Sequence, residues 1–167
     1  QTPTQDSSIL QDSFFLKISD LVTNSDSIIF SNNKNEFYSL DAKKGFVKWK
    51  QKINSNLKST IINELIFSIS NEGYLIIIDE KIGNIIRVTD IFRSFSKKKR
   101  HKIKPVGFFV GKQNIYLTTD HGRLLVIDIS KGKTKSILKI DNKKISRPFV
   151  LNQNLFIIKE NSIIKLN

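Results

Sequence analysis

Short apolar runs alternate along this chain with turn-forming residues, and one run-and-turn order comes round four times. The first run of each unit is Ile28-Ile29-Phe30, Leu65-Ile66-Phe67, Ile115-Tyr116-Leu117 or Leu155-Phe156-Ile157-Ile158. A turn follows, and then a second run: Phe37 to Leu40, Tyr74 to Ile78, Leu124 to Ile127 and Ile163-Ile164. A third run follows an Asp-x-x-x-Gly turn, as in Phe46-Val47-Lys48-Trp49 and Asn84-Ile85-Ile86. Thr60-Ile61-Ile62, Val106 to Val110 and Pro148 to Leu151 supply a run ahead of the later units. Runs of this length, rich in Ile, Phe and Val and bounded by Gly, Asn and Asp, predict strands joined by tight hairpins.

The spacing is what makes the pattern decisive. Asp41, Asp79 and Asp128, with Asn167 in the same slot, lie 38, 49 and 39 residues apart. Six residues before them stand Asn35, Gly73, Gly122 and Asn161, the residue types that enter positive φ at least cost. A period near forty residues with four strands per unit predicts an all-β propeller of four-stranded antiparallel blades. About four repeats are present, half of an eight-bladed ring or a set completed by self-association. The units run approximately over 20–53, 59–92, 104–140 and 146–167, with 9–18 an outer strand and 1–8 a disordered leader. The last unit stops after its third strand, and the segment Ile9 to Ile18 is available to complete it as a clasp.

Composition narrows the classes. There is one Ala and no Met, 39% of residues are hydrophobic, and no long stretch carries a helical period. With no Cys, disulfides and thiolate metal sites are excluded. No apolar run approaches the ~20 residues of a membrane-spanning helix. The chain begins at Gln1 without a signal peptide, which suggests a mature or trimmed product.

The phrase Leu40-Asp41-Ala42-Lys43-Lys44-Gly45-Phe46-Val47-Lys48-Trp49 resembles the repeat of pyrroloquinoline-quinone (PQQ) type propellers, with Leu-Asp, a Gly four residues on and a Trp four further. The structural signature then comprises Asp41, Gly45, Trp49, Gly73, Asp79, Gly83, Gly122, Asp128 and Gly132; Arg87 and Ser136 stand where units two and three would carry the Trp. Within that group the chain is most similar to the C-terminal half of the outer-membrane β-barrel assembly factor B family. That resemblance implies a non-catalytic protein-binding scaffold of the bacterial envelope, periplasmic or envelope-associated, with protein partners. Quinoprotein dehydrogenases share the repeat, so a module of such an enzyme is the alternative.

The residues argue for the scaffold. Asp41, Asp79 and Asp128 recur at equivalent turns, where a carboxylate accepts local backbone hydrogen bonds, and Trp49 falls at the position where blades pack. His101 and His121 lack a partner at metal-ligand spacing, and no phosphate loop or nucleophile elbow occurs. No catalytic residue, cofactor or metal is expected.

Charge adds a candidate surface. Lys and Arg number 28 against 15 Asp and Glu, a net +13. Much of this is spread along the whole chain, as a general Lys-rich bias would give. The densest cluster, Lys97-Lys98-Lys99-Arg100-His101-Lys102, lies in the long connection that widens the middle spacing. With Phe92 and Phe95 beside it, the set Phe92, Phe95, Lys97, Lys98, Lys99, Arg100 and Lys102 forms a candidate patch for an acidic partner or an anionic surface; the alternative, which the apolar pair itself favours, is that Ile91-Phe92 tucks under the blade as loop packing. Nucleic acid is the least favoured polyanion, because no aromatic residues interleave with the cations.

Overall fold

The computed structural model describes residues 16–166; the leader, Ile9 to Phe15 and Asn167 lie outside the described residues. Four antiparallel sheets follow one another along the chain. The first contains β1 (Val22–Thr23), β2 (Ser27–Asn32), β3 (Glu36–Asp41) and β4 (Val47–Gln51), and the second β5 (Thr60–Ile62), β6 (Leu65–Ile69), β7 (Tyr74–Asp79) and β8 (Ile85–Asp90). A single-turn helix, α1 (Lys97–Arg100), intervenes. The third sheet holds β9 (Pro105–Val110), β10 (Asn114–Thr119), β11 (Arg123–Asp128) and β12 (Thr134–Lys139); the fourth has three strands, β13 (Phe149–Leu151), β14 (Asn154–Lys159) and β15 (Ser162–Leu166). Each sheet is ordered as in sequence, which is the blade of a propeller.

Two turn types hold the register. The β5–β6 and β13–β14 hairpins have two-residue loops, Asn63-Glu64 and Asn152-Gln153, with positive φ at both residues. That conformation matches the twist of the flanking strands, and Asn opens each loop because it enters it most cheaply after Gly. Between the second and third strands, Asn35, Gly73 and Gly122 carry the expected positive φ of 61°, 88° and 64°. The fourth unit departs from this at Asn161. Lys159 pairs with Ser162, leaving a two-residue loop, so the positive φ falls on Glu160 instead. In the first unit Asn32 pairs with Glu36 and the loop is one residue longer.

The segment assigned to an outer strand, 9–18, is placed differently at its described end. Ile18 bridges Asn32 and the Ser19 amide donates to the Ser31 carbonyl at 2.8 Å. Leu16 to Ser19 therefore extend the inner edge of the first sheet, because β2 offers there the unpaired groups that β6, β10 and β14 offer to their own first strands.

Cores lie between sheets. Ile29 and Phe37 meet Ile66, Ile76 and Ile78 of the second sheet. Phe67, Ile69, Leu75 and Ile77 meet Ile115, Leu117, Leu125 and Ile127 of the third, and Leu124 meets Ile157 of the fourth. Each fully buried Ile, Leu or Phe contributes about 1.5–3 kcal/mol relative to exposure. Residues in or just ahead of the first strand of each sheet, Ile18, Leu57, Gly107 and Arg147, line one shared recess of about 150 Å³.

Candidate partner-binding face

The repeated Asp residues perform one task. The Asp41 carboxylate accepts from the amides of Lys43 and Lys44 at 3.0 and 2.7 Å, and that of Asp79 from Lys81 and Ile82 at 2.9 and 3.0 Å. The Asp128 carboxylate accepts from the Ser130 hydroxyl and the Lys131 amide at 2.6 and 2.9 Å. In all three turns the Gly amide donates back to the Asp carbonyl, and Gly45, Gly83 and Gly132 have φ of 73°, 75° and 67°. The Lys44 amide, followed by that of Lys43, holds the Asp41 carboxyl below the ordinary range. The Ser130 hydroxyl, the Lys131 amide and Lys135 hold Asp128 well below it.

Neighbouring blades are joined by long polar side chains. Trp49 Nε1 donates to the Glu80 carbonyl at 2.9 Å, and Gln51 donates to the Gly83 carbonyl at 2.7 Å. Glu80 is 5% exposed and accepts from Ser27 of the first blade, to which Lys48 also donates at 2.7 Å. Sequence reading missed this buried acid; its one signal was an acidic residue directly after the turn Asp.

The connection between the second and third blades is the one large excursion among the described residues. Asp90 pins its start: it accepts from the Phe92 amide at 3.1 Å and pairs with Arg100. Ser96 caps α1 through its carbonyl, which accepts from the amides of Lys99 and Arg100 at 2.9 and 3.0 Å. Buried Ile103 brings the chain back, and the Lys104 amide donates to Asp120 at 2.8 Å. Lys97, Lys98, Lys99, His101 and Lys102 are left exposed on a loop anchored at both ends. Between it and the β6–β7 turn lies a recess of about 430 Å³ lined by Glu72, Tyr74, Lys97, Arg100, His101 and Lys104.

One anticipated patch residue is lost to the core. Phe92 is fully buried because Gly73, with φ 88° and no side chain, lets the ring lie against the turn; a Cβ there would fall 2.1 Å from Phe92 Cδ2. Phe95 sits half-buried in edge-to-face contact with Phe92, ring centroids 5.8 Å apart. The surviving surface is cationic with one partly accessible ring.

Among the described residues no three His, Asp or Glu side chains converge on a point. Asp41, Asp79 and Asp128 are committed to their own turns, and Trp49 is stacked on Phe37 at a 3° interplanar angle inside the blade joint.

Repeated four-stranded blades closed by Asp-x-x-x-Gly turns define a β-propeller of the PQQ-type repeat class. The chain belongs to the outer membrane protein assembly factor BamB family, whose family model matches residues 5–89. BamB from Moraxella catarrhalis superposes with a TM-score of 0.70 at 10% identity, covering 88% of this chain and 41% of that one. The chain thus spans about two fifths of the length of that structure. The computationally designed Ika4 protein superposes equally well, with a TM-score of 0.70, 9% identity and 89% of each chain covered. The quinohemoprotein alcohol dehydrogenase ADHIIG from Pseudomonas putida HK5 matches over 70% of this chain and 19% of its own, with a TM-score of 0.58 and 17% identity. A search of curated protein sequences finds no match.

Proposed function

We propose that this chain is a non-catalytic protein-binding scaffold of the bacterial envelope that serves outer-membrane protein assembly. Membership of the BamB family supports the role. The observation that carries the site is the excursion over residues 90–104. It interrupts an otherwise regular spacing and is locked by the Asp90–Arg100 pair, yet spends its cations on solvent. A rigid loop carrying Lys97, Lys98, Lys99 and Lys102 on stacked sheets suits an acidic protein surface, since fixed charge of one sign raises encounter rates and selects the opposite sign.

The test is site-specific photo-crosslinking from position 98 in periplasmically exported protein, with and without Lys97→Glu, Lys98→Glu, Lys99→Glu and Lys102→Glu together. The expected result is a crosslink to an outer-membrane assembly component that the charge reversal abolishes. Unchanged crosslinking after reversal would remove the loop from the reading, and crosslinking to lipid alone would replace the protein partner by a membrane surface. The structural likeness to a quinohemoprotein dehydrogenase keeps a rival in view. Titration with PQQ and calcium, followed by absorbance, decides it: the scaffold reading expects no saturable binding, and a defined stoichiometry would favour the enzyme module.

A further inference from the structure

Two recesses adjoin on the flank of the second blade. The one beside the excursion shares Glu72 and Tyr74 with another of about 360 Å³, to which the first blade and the chain leaving it contribute Asn35, Lys52 and Asn54. This second recess is apolar along β7 and β8. Ile76 is buried, whereas Tyr74, Ile85 and Val88 are 39%, 43% and 55% exposed. Ile85 and Val88 pair with Ile78 and Ile76, so they lie on the sheet face that meets the first blade.

The blade itself does not require that strip. The residue directly after the turn is Tyr74 here, but Glu36 in the first unit and Arg123 in the third. At the register of Val88 the first unit carries Lys50, joined to Glu36 at 2.8 Å. An ion pair that solvates this flank in the first blade is replaced in the second by exposed apolar side chains. The adjoining recess is cationic. Arg100 is spent on Asp90, but Lys97, His101 and Lys104 are exposed, and their side chains have no partner among the described residues.

We infer that the two recesses form one groove for an extended peptide segment of a partner protein, in which apolar residues adjoin acidic ones. The apolar side chains lie on Tyr74, Ile85 and Val88, and the carboxylates face Lys97, His101 and Lys104. The occupant follows from the order of the surfaces: an apolar strip continues into a cationic recess, which complements a segment of the opposite sign with an apolar stretch beside it. A nucleic acid, charged at every residue, would set phosphates against the strip and against Glu72, which lines both recesses. A bilayer surface does not enter a concave site between blades. Blades before the first or after the fourth would leave the groove as it is, because its walls belong to the first two blades and the excursion that follows them. The inference rests on the acidic-partner reading above and names the segment that the partner contributes.

Fluorescence anisotropy of the full chain with fluorescein-labelled acetyl-Leu-Phe-Leu-Asp-Asp-Glu-amide tests it. The expected result is saturable binding that weakens as salt is raised. A peptide with Gly-Ser-Gly for Leu-Phe-Leu, and one with Lys for each acid, should each bind at least about tenfold more weakly. Val88→Glu, at an exposed position, should weaken binding by about tenfold or more with the circular dichroism spectrum unchanged, and Lys97→Ala with Lys104→Ala by a similar factor. Absence of saturable binding overturns the inference. Equal affinity for the Gly-Ser-Gly peptide does so too, since it reduces the contact to charge attraction, as does unchanged affinity in either variant. Binding that appears only after residues 1–15 are removed assigns the groove to those residues and overturns it equally. Crosslinking from position 98 without peptide binding keeps the loop as a partner site and overturns the groove. Peptide binding without that crosslink supports the groove and removes the assembly component as its partner.

Discussion

Arg87 stands in the second blade where Trp49 stands in the first, and both reach the same backbone atom of the next unit. Trp49 donates to the carbonyl of Glu80, the residue after Asp79; Arg87 donates to the carbonyl of Ile129, the residue after Asp128, and to that of Ser130 at 2.6 Å. Their pairings agree, Ser39 with Trp49 and Ile77 with Arg87. The guanidinium thus restores the donor that the missing indole would have supplied, without its apolar area.

Trp49 combines that bond with stacking on Phe37 and contact with Gly83, whose Cβ would lie 2.5 Å from the indole. Trp49→Ala should cost about 3 kcal/mol, and Trp49→Phe about 1 kcal/mol for the bond alone, read by urea denaturation.

Arg87→Ala leaves two turn carbonyls without their donor and should cost about 1–3 kcal/mol, whereas Arg87→Lys, a point charge on a flexible stem, should recover only part of it. The same denaturation midpoints check both.

Ser39 lies fully buried beneath this joint and its hydroxyl lacks a hydrogen-bond partner. Ser39→Ala should therefore stabilise the protein by about 1 kcal/mol, since it removes a desolvated polar group at little change in volume. A loss of stability would show that the hydroxyl is satisfied.

Two glycines with similar backbone should respond differently to Ala. Gly45, with φ 73°, has nothing within 4 Å of a built Cβ, so Gly45→Ala should cost only the left-handed strain, about 1–2 kcal/mol. Gly73→Ala adds a collision with the Phe92 ring to that strain and should cost about 1–3 kcal/mol more. Equal losses would mean that Phe92 moves aside freely.

Acid should weaken the fold through identified carboxyls. Lys50, then Asn32, hold Glu36 at about 2 against an ordinary 4.5. Lys159, then the Lys143 amide, hold Asp141 at about 2 against 3.8. Both folded-state values are depressed, so the stability they lend is complete above the ordinary values and is lost as pH falls through about 2. Glu36→Gln and Asp141→Asn should each lower the melting temperature at neutral pH, with the difference from the parent vanishing toward pH 2.

Strand positions, turn glycines and the repeat were legible because they depend on local chemistry. An Asp four residues before a Gly makes the same turn wherever it occurs, as Asp41, Asp79 and Asp128 do. The hairpins at Asn63-Glu64 and Asn152-Gln153 announced themselves only by Asn between apolar runs, and Asn161 misled because its loop is too short to need it. The candidate site was half legible. Its charge is written in the run from Lys97 to Lys102, but the withdrawal of Phe92 depends on Gly73, nineteen residues earlier in the chain.

What the amino-acid order determined alone was the blade: alternation, turn residues and period act over a few residues and need no distant partner. Tertiary structure decided how blades meet. Arg87 replacing an indole, Glu80 sinking into a joint and Ile163 remaining uncovered all depend on which sheet face finds a neighbour, and that is set by contacts between units some forty residues apart.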